Sequence, residues 1–296
     1  MKIAFIQLAS WGDCVNSTLM FKPIADAFPG CTLDVFTTDL YKSAFDNNPY
    51  ISTIKSYPAS SKSDAFSLYN VVPKAVSNMG YNKVFSPAPI LHPTKRNSLK
   101  HPEFGENIIT TFMRALEEDN IPYEWPVKTI LRLTDSERHN VARWISANKI
   151  KLTGSRNILM EVHGESGQTF WTPQWTTTVV HHLMQSRGDT NVFISNKSRT
   201  TEIAHLERES RGRVKWCGDL TIRECSDLFN YCDIFFSVSS GLSNACNTDQ
   251  CKVNIGWFET VNSPTVTSAP VREKGKVFWY ENDVSKFRGM LADRGV

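Results

Sequence analysis

An acidic residue, Asp13, stands in a turn of small residues close to the start of the chain. The apolar run Ile3-Ala4-Phe5-Ile6 before it has the length and composition of a strand buried on both faces of a parallel sheet. Apolar residues then recur at helical spacing from Val15 to Phe28. This order places one carboxylate and several backbone N–H groups at the carboxyl edge of a sheet, where open α/β sheets bind ligands. A carboxylate at that edge could serve as a general base.

A second candidate lies late in the chain, where four small or apolar residues follow a predicted strand and open a predicted helix: Ser240, Gly241, Leu242 and Ser243. The N–H groups and the dipole at the start of a helix attract phosphate. Glycine permits close approach to the backbone, and the serines add hydroxyl donors. The segment therefore predicts an anion site that needs no metal, and a plain helix cap is the structural alternative.

A structural interpretation also exists for Asp13. Ser10-x-x-Asp13 matches a capping box, in which the acid merely returns a hydrogen bond to the backbone. The helix N-terminus is further expected to lower the pKa of the Asp13 carboxyl, which keeps it ionised but makes it a weaker base. The two roles predict different losses: a cap contributes about 1 kcal/mol of stability, whereas removing a general base lowers the rate about 100- to 10,000-fold.

The chain length of 296 residues suits two α/β domains. The opening pattern returns at Asn157 to Val162, a second apolar strand followed by a glycine-bearing turn. We therefore expect an α/β protein of two Rossmann-like, doubly wound domains that face a cleft, residues 1–152 and 153–296. A last helix at 283–292 could pack back on the first domain.

The other elements follow from apolar periodicity and from turn residues. Predicted strands lie near residues 32–36, 51–54, 81–85, 191–194, 214–216, 234–238 and 253–255. Predicted helices lie near residues 14–28, 65–79, 108–119, 135–148, 175–185, 200–209, 221–231 and 242–248.

Composition narrows the class of protein. The net charge of +3 is too small to indicate nucleic-acid binding by itself. No apolar run is long enough to predict a membrane span, and peripheral contact with a membrane stays possible. The seven cysteines form no C-x-x-C pair, so we expect neither zinc nor disulfides but reduced, mostly buried thiols. The short apolar run at the N-terminus does not match a signal peptide, which favours a cytoplasmic protein.

A long, proline-containing and basic segment runs from Ala88 to His101 and carries Lys95 and Arg96. It follows a predicted strand and therefore lies on the ligand side of the predicted sheet. The segment is either a solvated loop or a binding site for an anionic acceptor.

The segment Ser10-Trp11-Gly12-Asp13-Cys14-Val15 resembles the S-x-G-D-hydrophobic signature that opens the heptosyltransferase family. These are bacterial enzymes of the two-domain GT-B fold that extend lipopolysaccharide core sugars. The resemblance implies that Asp13 is the catalytic base, with Ser10 and Gly12 on the acceptor side.

The later segment from Val238 to Ala245 is similar to the donor-binding segment of that family, D-[ST]-G-x-x-H. Leu220 and Thr221 match a segment that contacts the donor base through its backbone. The resemblance implies that the donor diphosphate lies over Ser239, Ser240, Gly241, Leu242 and Ser243.

Three departures from the family pattern concern the donor. Ser239 stands where the family has an acid, and Asn244 stands where it has a histidine. The lysine that usually binds donor phosphate after the first turn of the second domain is missing. Lys197 or Arg199 could supply that charge, and His163 could contact the donor phosphate.

The resemblance implies an inverting, metal-independent glycosyltransferase that moves a sugar from a nucleotide-diphosphate sugar to a lipopolysaccharide-type or other glycan. The nucleotide sugar is the donor substrate, and no cofactor is expected. Two alternatives stay open. The acceptor could be a modified base in DNA, as for bacteriophage glycosyltransferases, or the chain could be a degenerate family member that binds nucleotide or sugar without turnover.

Overall fold

The computed structural model describes residues 1–8, 10–87, 108–124, 127–163, 172–238, 240–252, 256–260 and 277–280. They form two compact α/β units. The first unit contains Met1–Arg132 and Asn247–Gln250. The second contains Leu133–Cys246 and the two strands nearest the end of the described chain. The predicted α/β class is confirmed.

In the part of the first unit that the structure describes, there are four parallel strands, β1 (Lys2–Ile6), β2 (Thr32–Thr38), β3 (Thr53–Tyr57) and β4 (Lys83–Phe85). Their order in the sheet is β3-β2-β1-β4. Its α-helices are α1 (Trp11–Ser17), α2 (Phe21–Ala27), α3 (Lys62–Ser67), α4 (Val72–Ser77) and α5 (Ile108–Glu118). The apolar run of β1 is fully buried, as its sequence predicts.

Two predicted long helices are each broken in the structure. The helix predicted at 14–28 consists of α1, a 3₁₀ turn at Thr18–Met20 and α2. Pro23 explains the interruption, because a proline ring clashes with the carbonyl four positions earlier, which lies within that turn. The helix predicted at 65–79 is divided into α3 and α4, and Pro73 lies in the first turn of α4.

Among its described residues, the second unit contains six parallel strands, β5 (Arg156–Glu161), β6 (Thr190–Ser195), β7 (Val214–Trp216), β8 (Ile234–Ser237), β9 (Gly256–Thr260) and β10 (Val277–Tyr280). Their order is β10-β9-β8-β5-β6-β7. Its α-helices are α6 (Asp135–Ala147), α7 (Pro173–Ser186), α8 (Thr201–Glu209), α9 (Ile222–Leu228) and α10 (Gly241–Ala245).

Strand β10 pairs with β9 at the edge of this sheet and is absent from the predicted elements. The strand predicted at 253–255 and the helix predicted at 283–292 lie outside the described residues. By its contacts α6 belongs to the second unit, whereas the domain boundary at residues 152 and 153 stays a prediction.

The cap of α6 and the state of the cysteines agree with the sequence. Thr134 and Glu137 form a full capping box at the start of α6. All seven cysteines are free in the structure, and all but Cys31 are buried, in agreement with the expected burial of most of these thiols. Among the described helices, none is long and apolar enough to cross a membrane.

Candidate functional site

Each sheet has a topological switch point, where the strand order reverses. In the first unit it lies between β1 and β4, and in the second between β5 and β8. Open α/β sheets bind ligands at the carboxyl ends of the strands that flank such a point. The residues that follow β1, β5 and β8 are therefore the places where each unit should hold a ligand.

Asp13 lies in the first turn of α1, shortly after β1. Ser10 precedes this helix with a φ of 42°, a conformation that is unfavourable for a residue other than glycine. The Ser10 hydroxyl donates a hydrogen bond of 2.7 Å to Asp13 Oδ2, and its side chain makes no cap bond to the helix backbone. The capping-box interpretation is therefore wrong, because the serine side chain bonds the carboxylate instead of the helix end.

The pKa of Asp13 is shifted upward. The Asp13 side chain is partly exposed, but closely packed protein surrounds its carboxyl group and excludes most of the water that would otherwise solvate the charge. This burial raises the pKa from 3.8 to about 6, although the Ser10 hydrogen bond and the positive charge of Lys62 oppose the shift. The expected lowering by the helix N-terminus is wrong, because desolvation has the larger effect. A carboxylate with this pKa is a stronger base and is still ionised at neutral pH.

Lys62 and Tyr69 are neighbours of this site that no local motif indicates. Lys62 begins α3, and its positive charge acts on Asp13. The Tyr69 hydroxyl accepts a bond of 2.9 Å from Leu8 N and donates one of 2.6 Å to Gln7 Oε1. Tyr69 thereby fixes the chain just after β1. Both residues lie far from Asp13 in the sequence, so periodicity and spacing do not reveal them.

Ser240 follows the end of β8 and caps α10. Its Oγ accepts N–H bonds from Leu242 at 3.1 Å and from Ser243 at 3.4 Å. In return, Ser243 Oγ accepts a bond of 3.1 Å from Ser240 N. The N–H groups expected to meet a phosphate are thus bonded within the turn. The anion site at Ser240–Ser243 stays a prediction, and a ligand there would have to replace these bonds.

The Ser240 hydroxyl also contacts a carboxylate that no motif indicates. Glu161 is the last residue of β5, and its Oε1 and Oε2 each lie 2.5 Å from Ser240 Oγ. Only 6% of Glu161 is exposed. The contact joins the carboxyl ends of β5 and β8, the two strands that flank the switch point of the second unit.

Leu220 and Thr221, the predicted contacts to a nucleotide base, precede α9. The Leu220 N–H donates to Cys217 O at 3.1 Å. The Thr221 N–H donates to Glu224 Oε2 at 2.8 Å as part of a capping box. Both backbone donors of this segment are therefore engaged, while the Leu220 carbonyl receives a long bond of 4.0 Å from the Cys225 thiol. The segment can offer a ligand this acceptor.

Trp216 and Gly218 shape the chain before Leu220. Trp216 Nε1 donates to Asn196 O at 2.8 Å. A Cβ placed on Gly218 would lie 2.3 Å from the Trp216 ring and 2.5 Å from Asn196 O. Glycine is required here because the indole and the carbonyl fill the place of a side chain. The ring connects the loops after β6 and β7 at the carboxyl edge of the sheet.

The remaining predicted site residues are placed less specifically. Lys197 and Arg199 follow β6 and are exposed, and Arg199 pairs with Glu207 at 2.6 Å. His163 follows β5 and is exposed, and Gly12 is buried in the first turn of α1. Three predicted residues lie outside the described part of the chain: Ser239, Lys95 and Arg96. Among the described residues, no group of three or more His, Cys, Asp or Glu side chains could hold a metal ion.

No protein-family model and no curated protein sequence matches the chain, but solved structures do. A glycosyl transferase family 9 structure from Veillonella parvula DSM 2008 matches with a TM-score of 0.72 and 10% identity, over 99% of this chain and 89% of that one. E. coli ADP-heptose lps heptosyltransferase II matches with a TM-score of 0.65 and 12% identity, over 100% of both chains. E. coli heptosyltransferase WaaC with ADP-2-deoxy-2-fluoro heptose matches with a TM-score of 0.62 and 8% identity, over 99% of this chain and 100% of that one.

At these identities the likeness establishes the fold. The predicted GT-B fold of two Rossmann-like units is confirmed, and so is the resemblance of the chain to heptosyltransferases at the level of structure.

Proposed function

We propose that this protein is a glycosyltransferase that moves a sugar from a nucleotide-diphosphate sugar to a hydroxyl group of a glycan. The observation that carries the proposal is the Asp13 carboxyl, partly exposed after β1 and with a pKa of about 6. A general base works best when its pKa lies near the working pH and it is still ionised there. The likeness in fold to two E. coli heptosyltransferases supports this choice of reaction.

In the proposed reaction Asp13 takes the proton of the acceptor hydroxyl as its oxygen attacks the anomeric carbon of the donor. The bond from this carbon to the diphosphate oxygen breaks, and the nucleoside diphosphate leaves with the electron pair. A single displacement inverts the configuration at the carbon. Hydrogen-bond donors of the protein, without a metal ion, stabilise the charge on the leaving group.

The second unit is proposed to hold the donor at its switch point, between the carboxyl ends of β5 and β8. The diphosphate would lie over Ser240–Ser243 and take over the N–H bonds that now go to Ser240 Oγ. Lys197 and His163 are exposed and follow β6 and β5, so they are candidates for further phosphate contacts. Arg199 suits this role less well, because Glu207 already holds it.

The nucleobase is proposed to lie against Leu220 and Thr221. Their backbone N–H groups are engaged, so the Leu220 carbonyl is the group that a base would meet. A carbonyl accepts a bond from the exocyclic amino group of adenine, guanine or cytosine, and equally from the ring N3–H of uracil or thymine. The Leu220 carbonyl therefore does not select one base, and the panel of donors described below decides which nucleotide binds.

The proposed acceptor is a glycan of lipopolysaccharide type or another kind, and the proposed location is the cytoplasm, with peripheral membrane contact. One structural match, which covers the whole chain, is an ADP-heptose lps heptosyltransferase of E. coli. Lys95 and Arg96 belong to the basic segment that follows β4 and would contact an anionic acceptor. No feature of the described residues favours a DNA acceptor.

The test is a thermal-stability panel of ADP-, GDP-, CDP-, UDP- and dTDP-sugars, followed by a transfer assay with the donor that binds. A ligand at 100 times its Kd adds about 2.7 kcal/mol to native stability, so a true donor should stand out. Asp13→Asn should keep the donor-induced shift and lose about 100- to 10,000-fold in transfer rate. Most activity retained in this variant would refute the base assignment, and a panel without any shift would refute the donor class.

A further inference from the structure

Arg156 carries a buried positive charge at the edge of the second sheet where the strands begin. It is the first residue of β5, and 8% of it is exposed. Its Nη2 donates to Leu183 O at 3.0 Å and to Ser186 Oγ at 2.8 Å, while its Nε is buried without a hydrogen-bond partner. No carboxylate of the described chain forms an ion pair with it. Arginine is rarely buried this far without such a pair, because a buried charge loses its hydration.

Two acidic residues act on Arg156 from a distance, and other groups already bind both of them. Arg187 donates to the two oxygens of Asp189, at 2.6 and 3.0 Å. Asp233 Oδ2 accepts the N–H of Asn157 at 2.8 Å. Burial, and after it the charge of Arg187, lowers the pKa of the Arg156 guanidinium even though both acids oppose the shift. The surroundings therefore disfavour the positive charge of Arg156, and the two acids do not compensate it.

A third arginine reaches the loop between α7 and β6. Arg213 lies just before β7 and donates from Nη1 to Gly188 O. The N–H of Arg156 donates to Asp189 O in the same loop, at 3.1 Å. Strands β5, β6 and β7 are parallel neighbours, so their first residues meet at one edge of the sheet. Three arginines, Arg156, Arg187 and Arg213, thus surround a loop that carries a single carboxylate.

We propose that this arginine cluster, formed by Arg156, Arg187 and Arg213, is a binding site for a phosphate group, either free or part of a larger molecule. The guanidinium fork matches the oxygens of a phosphate, and the pairing is strongest where water is partly excluded. A phosphate would supply the anion that the buried guanidinium lacks. The cluster lies at the first residues of the strands and the proposed donor site at their last residues, so this inference does not rest on the proposed function.

Arg156 could instead serve only to hold the end of α7. Leu183 and Ser186 belong to the last turn of that helix, and a cation that bonds such carbonyls also benefits from the helix dipole. This role uses Nη2 alone and gives no reason for the other two arginines. The two roles differ in what Arg156→Met changes. Loss of a cap lowers the stability equally at every phosphate concentration, whereas loss of an anion site removes the stabilisation by phosphate.

The experiment follows thermal unfolding of the full chain against sodium phosphate, with sodium chloride at the same ionic strength as the reference for screening. A ligand that binds only the folded protein raises the melting temperature as its concentration rises. We expect this rise for the wild type, and in Arg156→Met an affinity for phosphate lower by about tenfold or more. Sedimentation with phosphatidylglycerol vesicles, compared with phosphatidylcholine vesicles, distinguishes a lipid headgroup from free phosphate.

Arg143→Gln, which changes an exposed arginine of α6, is the matched control and should respond as the wild type. A response to inorganic phosphate that requires Arg156 supports a site for free phosphate, and one to phosphatidylglycerol alone that requires Arg156 supports a site for a headgroup. No response to either probe, or equal responses in Arg156→Met and the wild type, would overturn the inference.

A second variant decides if Arg156→Met does not fold. Arg187→Gln changes an exposed side chain and leaves Asp189 free to repel a phosphate, so the affinity must again fall by about tenfold or more. An unchanged affinity in this variant would overturn the inference as well. The proposed function is tested separately, because the shift caused by a nucleotide sugar should be the same in the wild type and in both arginine variants.

Discussion

Asp13 is a residue at which the requirements of stability and of the proposed chemistry oppose each other. Burial raises its pKa from 3.8 to about 6, so between these pH values the folded protein binds more protons than the unfolded chain. The free energy of unfolding therefore falls as pH rises through this window. Above it, the ionised carboxylate costs up to about 3 kcal/mol, at 1.36 kcal/mol per pKa unit.

Asp13→Asn should remove this cost. We expect the variant to match the wild type in stability near pH 4 and to exceed it at pH 8, by up to about 3 kcal/mol. Denaturant unfolding at the two pH values measures the difference. Asp26→Asn, at an exposed carboxylate paired with Lys22, is the control and should change stability by less than about 0.5 kcal/mol. A variant less stable than the wild type at pH 8 would contradict the raised pKa.

The neighbours of Asp13 should set the pH dependence of the reaction. For the wild type, kcat/KM should rise with pH and level off above the pKa of Asp13, about 6. The Ser10 hydrogen bond lowers this pKa, so Ser10→Ala should move the inflection to higher pH. Lys62→Gln should move it in the same direction, because the positive charge also lowers the pKa. Profiles of both variants that coincide with the wild-type profile would exclude Asp13 as the titrating group.

At the scale of elements, the loop after β7 depends on one glycine. Gly218→Ala would bring a Cβ to 2.3 Å from the Trp216 ring, so the ring or the loop must move and the bond from Trp216 Nε1 to Asn196 O is lost. We expect a loss of about 1–3 kcal/mol in stability and weaker nucleotide binding, because Leu220 follows directly. Gly188→Ala meets no atom within 4 Å and should leave both quantities nearly unchanged, as measured by unfolding and titration.

Helices α6 and α9 are joined by an ion pair between Glu137 and Arg223, with an N–O distance of 2.5 Å. Burial alone would raise the pKa of Glu137, but Arg223 and the N–H of Thr134 outweigh it and hold the pKa below its ordinary value. The pair thus adds stability above the pKa of the unfolded glutamate, and this contribution is lost as pH falls.

Arg223→Met should therefore leave a half-buried charge without its partner and destabilise the protein by about 3 kcal/mol at pH 7. Denaturant unfolding measures this loss. The double variant with Glu137→Gln should recover much of it, since it removes the stranded charge as well. Losses that simply add in the double variant would mean that the two side chains do not act as a pair.

Sequence patterns identified the elements that local residues determine. The predicted apolar strands β1 and β5 and the predicted cap at Thr134 match the structure. They were predictable because residues adjacent in the sequence determine both the burial of a strand and the capping of a helix. Strand β10 was missed, since it exists as a strand by pairing with β9. The helix predicted at 14–28 is present but interrupted by a 3₁₀ turn, because Pro23 outweighs the apolar periodicity there.

The same distinction holds at the site. Asp13 and Ser240 stand in recognisable motifs, which nominate them as site residues, and their roles stay predictions. No motif indicates Glu161, because its partner lies 79 positions away in the chain. The direction of the Asp13 pKa was also beyond the sequence: it depends on how closely the protein packs around the carboxyl, which periodicity does not specify.

At the scale of the whole molecule, the first unit is not continuous in sequence. It includes Asn247–Gln250, which the chain contributes after α10. Thr129 Oγ1 donates to Asn247 O at 2.6 Å, and Asp249 N donates to Thr129 O at 3.1 Å. Arg132 adds a bidentate pair with Asp249, with both distances 2.7 Å. These contacts give residues 1–132 partners that a fragment ending at residue 152 lacks.

This difference makes the predicted domain boundary testable. Thr129→Val keeps the shape of the side chain and removes the hydroxyl, so in the full chain it should cost about 1 kcal/mol, the usual contribution of a hydrogen bond. In the fragment 1–152 the same change should cost almost nothing, because Asn247 is absent. Hydrogen exchange of the β1 amides reports the stability of the first unit in both proteins. Equal costs in both would mean that Asn247–Gln250 adds nothing to the first unit; a fragment that does not fold would mean that residues 1–152 are not an independent domain.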